Sequence, residues 1–302
     1  MAGVITLKKA DFSASNIGKE LMLNAYTKKV LEKQTQYAKG SEESLALDSF
    51  INNMQKAGYI GGSAPLLTTL IIPALAKEHS ELMYNIANID NEGYPTNAMS
   101  DAEITASSKA LTCYKENDKT IAVQCTIEGV DSTAYSQQAV VDSLLFTEQG
   151  VQYPSFSAFI YNRNGAYPSE SYMANKARNY LVELRADKVQ IVWINQPSNG
   201  VISAAVSRDN NVGFYGISYD AATTSFSGIM KDGNVGETSS VGRDVLVVQE
   251  NSNIFRLGQW LSNTDRLFCS SLIAFGNKMT TEQMLYFKEE VEKLLTALKA
   301  TI

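Results

Sequence analysis

Apolar positions in this chain recur with two different periods, and the change of period divides it. In "SEESLALDSFINNMQKAG", Leu47, Phe50, Ile51 and Met54 fall at the i, i+3, i+4, i+7 spacing of one helix face. Ser41 is placed to cap this helix, Glu42 and Glu43 complement the positive end of its dipole, and Gly58 suits its C-terminal stop. The next apolar run, "LLTTLIIPALAKEHSELMYNIANI", begins extended. It is expected to turn helical after Pro73, because proline is tolerated in a first helical turn.

From Asp90 onward the period is two. In "SFSAFIYN", Phe156, Ala158 and Ile160 alternate with Ser155, Ser157 and Phe159, and in "KVQIVWIN" Val189, Ile191 and Trp193 share a phase. "TIAVQCTIEG", "YLVELRA", "VISAAVS", "VGFYGIS", "TSFSGIM", "DVLVVQE", "IFRLGQW" and "FCSSLIAF" are further candidate strands, separated by turn sequences such as "PSNG", "DNN" and "KDGN". Many short strands without alternating helices predict an antiparallel sandwich or barrel, not a parallel α/β sheet. Helix returns at the end: Thr280 and Gln283 have capping-box spacing. Met284, Phe287, Val291, Leu294, Leu295 and Leu298 then form an apolar stripe, expected to pack on the sandwich or on the N-terminal helices. Trp193 is expected between the sheets.

Composition narrows the function classes. With 44% hydrophobic and 19% charged residues the chain has material for a core and lacks the signature of disorder. A net charge of −6 and a pI near 5.0 supply no broad attraction for a phosphate backbone, so nucleic acid is not expected as a partner. The start "MAGVITLKKADF" lacks a signal-peptide core, and the longest apolar run falls short of the ~20 residues of a membrane helix. A soluble chain without a cleavable signal or membrane insertion is expected.

Candidate chemistry is sparse. Cys113, Cys125 and Cys269 are odd in number and far apart, which predicts buried reduced thiols instead of a disulfide or zinc framework. His79, the single histidine, lies in "AKEHSELM" and is expected on the surface of a helix. Glu183 and Asp187 share a strand phase, but four residues at about 3.3 Å each put them roughly 13 Å apart, too far for a glycosidase pair. "SNIGKE" lacks the upstream glycine of a phosphate loop. No metal or cofactor is implied, and no enzyme is expected. One segment, "FIYNRNGAYPSESYMANKARNY", gathers Tyr161, Arg163, Tyr167, Tyr172 and Arg178 around a turn. Either these tyrosines form a sugar-stacking or protein-contact surface, or they cap the sandwich edge with buried rings.

Two resemblances add to this reading. "FRLGQW", "LSNTDR", "FCSSLIAFGNK" and "MTTEQMLYFKEEVEKLL" in succession resemble the close of a concanavalin A-like (laminin G-like) jelly roll. "DFSASNIGK", "ALDSFINNMQKAGYIGG" and "LLTTLIIPALAKEHSELMYNI" resemble the leader of structural proteins of tailed bacteriophages, those of crAss-like and other Bacteroidetes-infecting phages among them. Residues 93–150 carry no such resemblance.

Together they imply a mainly β protein with two parts: a helical attachment and oligomerisation region, 1–92, and a jelly-roll domain with closing helix, 93–302. The implied function is a non-enzymatic virion structural protein in a fibre, tail, baseplate or capsid decoration, assembled in the bacterial host cytoplasm beside other virion proteins. The alternative is a glycan-binding adhesin that recognises the host surface, with Tyr161, Arg163, Tyr167 and Tyr172 as ligand contacts. A small helical unit alone cannot bury Leu47, Phe50, Ile51 and Met54, so they must meet the jelly roll, another virion protein or a second copy, and self-association into a dimer or trimer is expected.

Overall fold

A computed structural model of the chain describes residues 16–82, 84–89, 96–97, 111–127, 140–141, 155–163, 170–175, 180–184, 188–195, 198–205, 212–223, 225–231, 233, 235–238, 255–257 and 266–301. Three helices come first: α1 (Asn16–Met22), α2 (Ala25–Lys33) and α3 (Glu42–Lys56). Strand β1 (Leu67–Ile71) precedes short 3-10 turns at Pro73–Leu75, His79–Glu81 and Ile86–Asn88. The strands that follow are β2 (Thr96–Asn97), β3 (Leu111–Glu116), β4 (Lys119–Ile127), β5 (Val140–Val141), β6 (Phe156–Asn162), β7 (Glu170–Asn175) and β8 (Tyr180–Leu184). Then come β9 (Lys188–Asn195), β10 (Ser198–Ala205), β11 (Gly213–Asp220), β12 (Ser225–Ile229), β13 (Val235–Thr238), β14 (Phe255–Leu257), β15 (Arg266–Gly276) and finally α4 (Thr281–Ala297).

Among the described residues the strands form an eight-stranded sheet in the order β13-β12-β11-β6-β15-β4-β3, with β1 also paired to β15. A five-stranded sheet has the order β10-β9-β8-β7-β14, and β2 pairs with β5. Every pairing is antiparallel. The smaller sheet lies against one end of the larger, β10 beside β12 and β13 and β8 beside β11. The chain is thus an antiparallel β-sandwich with N-terminal helices and a closing C-terminal helix, as expected from its pattern.

The helix boundaries follow from local chemistry. Ser41 Oγ accepts from Ser44 N at 3.1 Å, Glu42 and Glu43 occupy the first turn of α3, and Gly58 takes φ 76° just past its end. In α4 the capping box is complete: Gln283 N donates to Thr280 Oγ1 (3.2 Å), and Thr280 N donates to Gln283 Oε1 (2.8 Å). The β3–β4 turn sets Asn117 and Asp118 at φ 49° and 62°, the left-handed pair that suits a two-residue hairpin.

Several sequence expectations meet the structure here. Leu47, Phe50, Ile51 and Met54 are not free for self-association: each is at most 3% exposed, within the core that also holds Met284, Phe287, Val291 and Leu295 of α4. The apolar face is covered by the chain's own last helix, so it makes no demand for a second copy. Across residue 92 the two expected parts are joined by strand pairing. β1 pairs with β15, Ile71 opposite Ile273, and so completes the edge of the main sheet beyond β4.

The helix expected after Pro73 is a set of 3-10 turns instead. Residues 70–76 are buried without a polar face, which disfavours an amphipathic helix. Asn85 instead serves the backbone there, accepting from Leu70 N (2.9 Å) and Ala87 N (3.0 Å) and donating to Thr68 O (3.0 Å). His79 consequently sits in a turn rather than on a helix surface, partly buried.

β6 also departs from simple alternation: all seven residues are buried. Phe159 meets Phe287 of α4 edge-on at 5.1 Å, while Phe156, in the other phase, meets Tyr219 at 5.6 Å. Both faces of this central strand are covered.

Candidate functional site

The tyrosine-rich segment begins at the end of β6, and its first two candidates prove to be structural. Tyr161 is 7% exposed, paired with Phe214 on β11 and Leu272 on β15. Its ring belongs to the helix-covered core, matching the buried-ring reading of the segment. Arg163 follows β6 directly. Its side chain, 6% exposed, donates through Nη1 to the Ala300 carbonyl and through Nη2 to Glu116 Oε1 at 3.2 Å. Its backbone N–H donates to Cys269 O (3.0 Å). The guanidinium therefore joins the tail after α4 to the β3 edge, and neither residue is presented as a ligand contact. Tyr172 lies on β7 of the smaller sheet, and Tyr167 and Arg178 lie outside the described residues.

Residues that were not singled out in the sequence complete this junction. β15 changes register against β6 between Ser270 and Leu272, an extra-residue bulge that re-aims Ser271. Ser271 Oγ lies 2.8 Å from Ile121 O and 3.2 Å from Ala300 O. Ser270 Oγ lies 3.0 Å from Tyr161 O and 2.6 Å from Leu272 O. Tyr37 OH donates to Leu298 O (3.0 Å), and its ring carries Lys119 Nζ 4.8 Å from its centroid. Gln36 Nε2 donates to Ala74 O (2.7 Å) and Thr120 O (2.6 Å), while Thr120 N donates to Gln36 Oε1 (2.7 Å). Gln36 thus bridges β4 and the turn after β1. The one sequence signal for this cluster is the serine pair inside the apolar strand "FCSSLIAF". Two adjacent hydroxyls there require buried acceptors.

Two of the thiols are shifted by their surroundings. Burial pushes Cys269 up to about 12, against a smaller downward pull from Arg163. Burial likewise raises Cys113, offset in part by its hydrogen bond with Thr120. A raised thiol pKa disfavours the nucleophilic thiolate. Cys125 lies on β4, opposite Phe268 and Leu111. Glu183 sits on β8, which ends at Leu184, and Asp187 lies outside the described residues. Among the described residues no cluster of three histidine, cysteine or carboxylate side chains is arranged to hold a metal, and no helix is long and apolar enough to cross a membrane. Trp193 is placed on β9, opposite Gly200, with its side chain outside the described set.

The polar groups described above hold carbonyls and strand edges between the N-terminal helices, the main sheet and the segment after α4.

No protein-family model matches this chain, and neither does any curated protein. Solved structures match part of the chain. The binding domain of botulinum neurotoxin DC is 11% identical, with a TM-score of 0.36, over 58% of this chain and 40% of the other. The serotype D ligand-binding domain, solved with N-acetylneuraminic acid, is 8% identical at TM-score 0.36, over 61% and 51%. A carbohydrate esterase of a Shiga toxin-encoding bacteriophage is 10% identical at TM-score 0.33, over 60% of this chain and 95% of its own. This chain matches about half or less of each neurotoxin domain. Likeness of this degree has no bearing on function.

Proposed function

We propose that this chain is a non-enzymatic structural protein of a tailed-bacteriophage virion, whose helices and eight-stranded sheet form a body that carries the smaller sheet. The observation that carries the reading is the mutual locking of the chain's two end regions. β1 is built in beside β15, α3 packs on α4, and Tyr37, Arg163 and Ser271 hold the carbonyls of Leu298 and Ala300. Such closure suits a particle component that must keep its shape, and it engages Ser271 and Arg163. The phage-like leader and the jelly-roll close in the sequence support the same assignment. Mass spectrometry of purified particles tests it: the chain should appear at a fixed copy number, low for a tail part and in the hundreds for a capsid decoration. Its absence from washed particles rejects the assignment.

A glycan-binding adhesin is the second reading, favoured by Tyr172 and Tyr180 on neighbouring strands β7 and β8 of the smaller sheet. Tyr161 and Arg163 form no part of this reading, since their side chains are buried in the contacts above. A glycan array probed with the full chain and with Tyr172→Ala distinguishes the two. Retained particle incorporation with no glycan signal leaves the structural reading alone.

A further inference from the structure

We draw no further inference here: the strongest candidate, the exposed apolar pair Leu21 and Met22 at the end of α1, carries nothing because the structure does not show what covers it.

Discussion

The two faces of the eight-stranded sheet are closed in different ways. On one face, α4 brings Phe287 against Phe159 (5.1 Å), Phe214 (5.9 Å) and Tyr59 (5.8 Å), so one side chain joins two strands and the N-terminal region. Polar bonds reinforce this closure: Asn53 Nδ2 donates to Glu290 Oε2 (2.7 Å), and Tyr59 OH donates to Gln283 O (2.6 Å). These partners stand 237 and 224 residues apart. On the other face Phe156, Ala158, Ile160, Tyr215, Ile217 and Tyr219 are buried, and the smaller sheet, which meets β11, β12 and β13, is mostly a local meander, β7 to β10 in order. The first face needs both ends of the chain before it closes; the second is assembled largely from neighbouring hairpins. Long-range closure costs more loop entropy and forms later, so the helix-covered face should be the slower to form.

Truncating its hub is the strongest way to break that face. Phe287→Ala should lower stability by ~3–5 kcal/mol, as for other buried aromatic truncations. Denaturant midpoints would show it, and a change below about 1 kcal/mol would mean that the aromatic cluster does not hold the helix on the sheet. A smaller but more local effect is expected at Gly276. A Cβ there would sit 2.0 Å from Leu66 O and 2.8 Å from Leu67 Cα, both backbone atoms. Gly276→Ala should cost about 1–3 kcal/mol and displace β1 from β15. Hydrogen exchange should then speed up at Leu70 and Ile71 before it does at β11; uniform exchange would argue that β1 is not a separable edge.

Smaller again is Thr280→Ala, which removes the capping acceptor for Gln283 N and should cost ~1 kcal/mol. Thr280→Ser, which keeps the hydroxyl, should restore most of it. The smallest effect is a pH dependence. Burial alone would raise the Glu290 carboxyl, but hydrogen bonds from Lys293 and Asn53 outweigh it and leave it below its ordinary value. A carboxylate lowered by folding stabilises the fold above its unfolded pKa, and the gain is lost as pH falls through the folded value. Denaturation of wild type and Glu290→Gln near neutral pH and at about pH 3 checks the sign, since an unfolded Glu titrates near ~4.3. The gap between them should shrink in acid; a gap that widens would mean the carboxylate does not hold α3 to α4.

Isolating residues 90–302 would not leave the packing of the sandwich intact. It removes β1, Tyr59 and the α3 surface that meets α4, leaving Phe287 and Val291 without their cover.

What the sequence by itself determined was local. The caps of α3 and α4, the stop at Gly58 and the period-two runs at β6, β9, β11 and β15 depend on contacts within about four residues, so they could be read directly. The antiparallel sandwich followed from the number and spacing of those runs. Partner choice was decided only in three dimensions. An apolar face such as that of Leu47 and Met54 demands burial but does not name what buries it, and a second copy would satisfy that demand as well as α4 does. The extended run at β1 was legible, but its pairing with β15 and the 3-10 turns that follow it were not, for the same reason. Their backbone groups are satisfied by β15 and by Asn85, and neither partner shows in the local pattern. Arg163 and Tyr161 looked like surface chemistry because their neighbours in sequence are polar. In the fold, Cys269 O and the Ala300 carbonyl arrive from more than a hundred residues away and convert that segment into a junction.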